Sequence, residues 1–363
     1  MANLIARMTR GAATVQCRHV RPVPPAAATG LVARIYAEVE RDFGMLAPPV
    51  ALHSPAPQVL AACWLMLRET LLAEGTLGRR TREVVATGVS LSNSCPYCVD
   101  VHGSALTGML RDGDARAVGE DRPDDIGDPE LRAIDHWARR APADDDGRPA
   151  LSAAAAPELL GVAVTFHYLN RMVNIFLPPS PLPPLPAAAR RVADRVTARL
   201  MGGLARRRCA PGASLGLLPA APAPADLAWA DGTTISAALA RAYAAVEEGG
   251  RRAVPERVRD LVLARLADWD GEPSGISSRS WLDEALVELP VREQPAGRLA
   301  LLTAFASYQV TDAVLDGYRR AHPGDARLIE CTAWASLMAA RRAGALMQRS
   351  GTPRGGGEPA SHS

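Results

Sequence analysis

Apolar residues return every three to four positions along almost the whole of this 363-residue chain, and no convincing run alternates apolar with polar as a half-buried strand would. Leu31, Ile35, Val39 and Phe43 recur every four residues. Ile235, Leu239, Tyr243 and Val246 do much the same, behind a Thr234 suited to cap a helix and ahead of a Gly249-Gly250 pair suited to stop it. A third stripe, Val192, Val196, Leu200 and Leu204, follows a proline run and has Arg190, Arg191, Arg195 and Arg199 on its other face. An Arg-rich helix of this kind can lie on a membrane surface, but a solvated Arg face on a packed helix is the commoner use of the pattern. The expected fold class is all-α, with room for one large or two ordinary domains.

Composition shifts suggest where the chain divides. "PPSPLPPLPAAA" (178–189) and "CAPGASLGLLPAAPAPAD" (209–226) read as Pro/Ala connectors, and "RDGDARAVGEDRPDDIGDPE" (111–130) as an acidic loop. "SGTPRGGGEPASHS" has too little apolar content to pack. The expected order is a flexible arm over 1–29, a helical unit over 30–177, and a linker with one amphipathic helix over 178–230. A second helical unit over 231–347 and a disordered tail over 348–363 complete it. The two units look like copies: "ARIYAEVE" (33–40) and "ARAYAAVE" (240–247) agree at six of eight positions. "REVVATGVSLSNSCPYCVDVHGSAL" corresponds with "RLALLTAFASYQVTDAVLDGYRRA" if "DWDGEPSG" (268–275) is an insertion, and "LLGVAVTFHYLNRM" with "LIECTAWASLMAAR". In that register Cys95, Cys98 and His102 face Val310, Ala313 and Gly317, so the second unit is a degenerate repeat without the cysteines.

A net charge of +2 argues against an extended nucleic-acid surface. Every basic residue is Arg, alongside abundant Ala, Pro and Gly; this reads as coding bias and weakens any local Arg cluster as a sign of phosphate binding. The first 30 residues lack the apolar run of a secretory signal. The most apolar window, "LLGVAVTFHYLNRMVNIFL", is broken by His167, Asn170, Arg171 and Asn174, which suits a buried helix better than a membrane span. The expected compartment is the reducing cytoplasm, with no membrane or nucleic-acid partner. There, six cysteines do not imply three disulfides, and a close pair is metal-binding or catalytic.

Cys95 and Cys98 are that pair, within "SNSCPYCVDVHGSAL". "SNS" offers helix caps and Pro96 suits a first turn. On a helix starting near Ser94, Cys95, Cys98 and His102 project from one face, His102 one turn above Cys98. The positive end of the helix favours a thiolate there. A thiol of pKa about 8.5 is roughly 3 per cent ionised at pH 7, and lowering it by two units, about 2.7 kcal/mol, raises this to about 75 per cent. A second cysteine can then trap a sulfenic acid as a disulfide. Structural zinc wants a second ligand pair, which is missing. A c-type haem wants His where Val99 stands. CPYC also occurs in glutaredoxins, but neighbouring strands are lacking. Two core cysteines with a core histidine remain open as the plain structural reading; a redox dithiol fits better. No metal and no separate cofactor are expected beyond a redox-active Cys95–Cys98 disulfide.

With Glu83 included, the pattern becomes E-x11-C-x2-C-x3-H. Over about residues 80–107 this resembles the alkylhydroperoxidase D-like branch of the carboxymuconolactone decarboxylase superfamily. "FHYLNRMVNIF" (166–176) also looks like a segment of its larger members. The resemblance implies an AhpD-like helical bundle and a dithiol peroxidase acting on hydrogen peroxide or organic hydroperoxides. It implies that Cys98 attacks the peroxide, that Cys95 resolves the sulfenic acid, and that Glu83 and His102 relay protons. A dithiol or thioredoxin-like protein would be the reductant. Members build their core from identical subunits, which implies a homo-oligomer or, with two units in one chain, an internal pseudo-dimer. From the residues alone Cys95 is nearer the helix end, while the one-turn relation to His102 favours Cys98. The alternatives are a non-catalytic thiol sensor or scaffold, and a lactone decarboxylase, whose characterised members do without a CxxC. Tyr97 stands where some of the peroxidases have a second histidine, which puts an equivalent relay in doubt. Glu83, following Arg79, Arg80 and Arg82, also suits a surface ion pair. His136 and His167 read as core or lining residues; Cys17, Cys63, Cys209 and Cys331 carry no spacing signal.

Overall fold

A computed structural model describes residues 11, 13–109, 113–139, 154–272 and 280–349. Among them the chain is all-α, with a single isolated bridge between Ala73 and Cys209. The first half contains α1 (Gly30–Asp42), α2 (Pro57–Leu67), α3 (Arg79–Ser92), α4 (Pro96–Met109), α5 (Asp114–Gly119), α6 (Pro129–Arg139) and α7 (Ala156–Phe176). After α8 (Ala187–Ala205) come α9 (Thr234–Ala253), α10 (Glu256–Asp268), α11 (Ser280–Leu286), α12 (Gln294–Ala306), α13 (Asp312–Ala321) and α14 (Asp325–Arg349). No described helix is long and apolar enough to cross a membrane.

The two longest helices, α7 and α14, pack against each other at the centre, where Gly344 gives way to the Val164 side chain. α7 is buried on nearly every face, as a helix apolar all round must be. The α3–α4 pair lies on α7, the α12–α13 pair adjoins α14, and α9 fits between α2 and α14. One continuous apolar core runs through both halves.

Several local expectations are corrected. The cap of α9 is Thr233, whose hydroxyl accepts from Ser236 N at 3.1 Å, and not Thr234. Gly249-Gly250 does not stop that helix, which runs on to Ala253. The pair instead leaves space for Glu330 and Trp334 of α14. The acidic stretch 111–130 includes α5 and a single 3₁₀ turn, Pro123–Asp125. The stripe on α8 faces inward only at its C-terminal end: Val192 and Val196 are 53% and 59% exposed and Leu200 and Leu204 half-buried, while Ala198, Met201 and Ala205 are buried. Gly202 of α8 meets Gly108 of α4 so closely that a Cβ on either would fall on the other's backbone. Close backbone approach, open only to the small-residue face, decides the orientation.

The segments read as arm and linker carry specific contacts. Arg18 N donates to Phe176 O, Val23 N to Ser54 Oγ, and Arg21 N to Asp325. In 209–226, Gly212 N donates to Glu69 and Ser214 Oγ to Glu38, while the buried Arg68 reaches both Asp42 and Ala210 O. Residues 1–10 of the arm and 350–363 of the tail lie outside the described residues.

Candidate active site

The sulfur pair sits at the turn from α3 into α4. α3 ends at Ser92 with Asn93 as its C-cap, and Ser94 has φ 50°, the left-handed region that a residue with a side chain seldom adopts. Thus "SNS" closes the preceding helix and does not cap α4. Cys95 N donates to Ser90 O at 2.9 Å, and Cys95 O accepts the first bond of α4 from Val99 N at 3.1 Å. Pro96 opens α4 as expected. The chain reverses within three residues, which brings both sulfurs against α3 and α7.

All four singled-out residues are buried and close together. The Cys95 thiol donates to Cys98 Sγ at 2.9 Å, both cysteines being free thiols. Glu83 is fully buried, so it is no surface ion pair. Its carboxylate accepts from His102 Nδ1 at 2.6 Å and from Arg79 Nε at 2.7 Å. Burial alone would raise the Glu83 carboxyl, but the Arg79 guanidinium and His102 more than reverse this and hold it down at about 2. An ionised carboxylate on Nδ1 fixes the His102 tautomer with its proton on that nitrogen. Phe166 meets the imidazole edge-on, ring centroids 4.6 Å apart.

The Cys98 thiol differs from expectation. Burial pushes it well above its ordinary value, the adjacent Cys95 adds to this, and a hydrogen bond from Asn170 opposes it. The helix terminus is present, but the surroundings are apolar and disfavour the charged form more strongly. At rest Cys98 is a thiol.

A cavity of about 240 Å³ adjoins this sulfur. Cys98, Tyr97 and His102 line it, and Cys95 does not. Phe166, Leu169 and Val173 of α7 form another wall, and Leu200 and Met201 of α8 cover it. Tyr97 donates its hydroxyl to Gln16 Oε1 at 3.1 Å and makes no bond to His102 among the described residues.

Behind the sulfurs lies a polar cluster on α7. Asn170 donates to Ser90 Oγ at 3.0 Å and accepts from Asn93 Nδ2 at 3.2 Å. Arg171 donates from Nη1 to Asn93 Oδ1 at 3.0 Å and from Nε to Ala304 O, at the end of α12, at 2.9 Å. Asn174 Nδ2 donates to Asn93 O and Ser307 Oγ. His167 is buried beside Asn93 and held neutral by burial and by Arg171. Burial pulls Arg171 down to about 10, so it keeps its charge at neutral pH. His136 is a correction: it is half-buried at the surface, 3.5 Å from Asp124. In the sequence His167, Asn170, Arg171 and Asn174 argued against a membrane span and lay in a segment resembling larger family members, but Asn170, Arg171 and Asn174 were given no place at the site. Their spacing of three, four and seven along one apolar helix was a signal of a polar stripe facing the site. Among the described residues no three His, Cys, Asp or Glu side chains converge as a metal site requires.

Residues 57–137, which contain Glu83, Cys95, Cys98 and His102, match the carboxymuconolactone decarboxylase family. The chain is also 39% identical over 336 residues to the alkyl hydroperoxide reductase Rv2159c of Mycobacterium tuberculosis, a match covering 90% of this chain and 93% of that protein. The likeness therefore runs through both halves.

Proposed function

The chain belongs to the carboxymuconolactone decarboxylase family, and on that premise we propose that it is a dithiol peroxidase that reduces hydrogen peroxide or organic hydroperoxides. The observation that carries this reading is the asymmetry of the pair: Cys98 and His102 open onto an apolar cavity, while Cys95 lies behind, 2.9 Å from Cys98.

The hydroperoxide occupies the cavity and the Cys98 proton passes to His102. Nδ1 of His102 is committed to Glu83, so Nε2 carries the proton, handed over through the peroxide or a water held between them. The Cys98 thiolate attacks the terminal peroxide oxygen; an S–O bond forms and the O–O bond breaks. The alkoxide leaves as an alcohol with the proton from His102, and Cys98 becomes a sulfenic acid. The Cys95 sulfur then attacks Cys98, forming the disulfide and releasing water. A dithiol reductant gives two electrons and two protons to restore both thiols and becomes a disulfide itself. We further propose that the second helical unit is a degenerate copy standing in for a neighbouring subunit.

Peroxide consumption by the purified protein with a dithiol reductant tests the reading. Wild type turns over, Cys98→Ser does not, and Cys95→Ser consumes one equivalent and stops. Oxidation of the pair without turnover, whatever peroxide and reductant are offered, refutes the peroxidase and favours a thiol sensor.

A further inference from the structure

The cavity beside Cys98 has walls of unequal strength. α7 forms one from residues buried in the core, and α8 forms another that the backbone contact of Gly202 with Gly108 holds to α4. The third is thin. Ala13 and Gln16 line the cavity, while Val15, between them in sequence, is 83% exposed. A single layer of chain over 13–17 therefore stands between this side of the cavity and solvent.

Gln16 holds that strap in place. Its Oε1 accepts from the Tyr97 hydroxyl at 3.1 Å, and its Nε2 donates to Pro181 O at 3.3 Å. Both stations are fixed. Tyr97 is buried in the first turn of α4, next to Cys98 in sequence, and a buried tyrosine hydroxyl needs such a partner. Pro181 lies in the proline-rich connector, where the neighbouring Ser180 hydroxyl donates to Asp100 of α4 at 2.9 Å. The strap has little footing of its own. Its other side-chain bonds, from Thr14 to Gly11 O and from Cys17 to Ala13 O, are internal, and Ala13 adds one methyl group to the core. Among the described residues its first main-chain bond to the body is Arg18 N to Phe176 O at 2.7 Å, beyond which Arg21 N donates to Asp325. A segment tied by main chain at one end and by one side chain along its length is the wall that opens at least cost.

We propose that Gln16 and Tyr97 are specificity-determining residues: they latch this strap over the cavity, and release of the latch decides how large a molecule reaches the Cys98 sulfur. The proposal rests on the peroxidase reading only in taking a hydroperoxide, and afterwards a dithiol reductant, as what passes. A small molecule enters with the latch closed. A bulky one requires Gln16 to let go of both partners, so that the strap swings out from its attachment at Arg18. Both cysteines are buried, so a reductant of protein size meets the same barrier. Tyr97, which makes no bond to His102 among the described residues, thus serves entry to the site and not its proton relay.

The test reads access to Cys98 without peroxide. In a Cys95→Ser background of the full chain, alkylation of Cys98 by iodoacetamide is compared with alkylation by a maleimide that carries a bulky fluorophore. Peptide mass spectrometry separates Cys98 from Cys17 and the other thiols. A change in the ionisation of the sulfur alters both rates alike, so the ratio of bulky to small reports the entrance alone. Loss of one hydrogen bond from the closed form raises the open fraction by about three- to tenfold. Tyr97→Phe is therefore expected to speed the bulky reagent by about that factor and to leave iodoacetamide within about twofold. Gln16→Met, which keeps the length of the side chain but neither bond, is expected to raise the ratio by about tenfold or more. In the Gln16→Met background Tyr97→Phe adds nothing further, because the bond it removes is already lost. An unchanged ratio in both variants overturns the proposal. So does an equal rise for the two reagents, which marks general loosening, or a full additional effect of Tyr97→Phe in the double variant. If Tyr97→Phe does not fold, Gln16→Met on the half-buried arm decides. Because no peroxide enters the assay, absence of peroxide turnover would sink the peroxidase reading and leave the latch standing, and an unchanged ratio would do the reverse.

Discussion

Glu83→Gln is the perturbation whose effect can be worked out most fully. The side chain keeps its size but loses its charge, leaving Arg79 without its anion and His102 without the acceptor that orients it. The Glu83 carboxyl lies at about 2 against an ordinary 4.5. That depression corresponds to about 3 kcal/mol of folding free energy at neutral pH. Since the folded-state value is the lower one, the unfolded chain takes up the proton first as pH falls. The stabilisation is complete above about pH 5.5 and is lost as pH drops from about 4.5 towards 2. By pH 3 about 2 kcal/mol of it is gone. Guanidinium denaturation of wild type and variant at pH 7, 5, 4 and 3 measures this. Wild type should lead by about 3 kcal/mol at pH 7, and the lead should shrink to about 1 kcal/mol at pH 3. Peroxide turnover should fall by about 10²–10⁴-fold through loss of the proton carrier's orientation. A lead that is constant from pH 7 to pH 3 would show that Glu83 is not held ionised by its partners, and the electrostatic account of the site would fail with it.

Three further outcomes follow from other features. Burial holds Cys98 protonated and its proton is proposed to pass to His102 and not to solvent, so the number of bound protons is unchanged and the first-turnover rate with peroxide should vary far less than about tenfold per unit between about pH 7 and 8; a climb of about tenfold per unit in stopped-flow fluorescence contradicts this. Gly202→Val forces a side chain onto the backbone of Gly108 and should destabilise by about 3 kcal/mol. By lifting α8 it should also speed reaction of Cys98 with bulky maleimides, and thermal melts with labelling rates check both. Leu169→Trp narrows the cavity, so turnover of cumene hydroperoxide should fall by about tenfold or more while hydrogen peroxide is less affected; equal loss for both peroxides removes the cavity as the substrate's seat.

The fold class was legible because helical spacing recurs along the chain and nothing alternates, so all-α followed from Leu31, Ile35, Val39 and their counterparts. The face each helix buries was less so. On α8 Val192 and Val196 of the apolar stripe lost to Ala198, Gly202 and Ala205, because the close approach of Gly202 to Gly108 is tertiary and leaves no mark in an amphipathic pattern. Gly249-Gly250 misled for the same reason: a glycine pair that ends a helix and one that admits Trp334 look alike in one dimension. Within the site, the shared face of Cys95, Cys98 and His102 was readable from spacing, whereas Glu83 joined them only through the family resemblance. The state of Cys98 was not readable. Helix-terminus reasoning foresaw a lowered thiol, whereas its burial depends on α7 and α8, far away in sequence. Asn93 was read as a cap for the wrong helix, since the left-handed turn at Ser94 separates α3 from α4.

That burial bears on how such a site works. A dithiol that is ionised at rest is exposed to stray oxidants; one buried as a thiol is quiescent but must acquire charge during the reaction. On the proposed assignment, ionisation is a proton transfer from Cys98 to His102, which creates two opposite charges in an apolar enclosure. Neither is left alone. The imidazolium forms against the Glu83 carboxylate, 2.6 Å away and already ionised. The thiolate forms on the side of Asn170, whose partner Asn93 accepts a hydrogen bond from the Arg171 cation. Both partners are charged before the transfer, so the site need not reorganise when it occurs, and fixed charges in a water-poor surrounding act more strongly than they would in solvent. The second half takes part in this arrangement. Ala304 O holds Arg171 and Ser307 Oγ holds Asn174, so the cation and the Asn93 turn are steadied by residues more than 130 positions beyond them. A unit without a close cysteine pair of its own thereby helps to hold the side chains that stand beside the pair in the other.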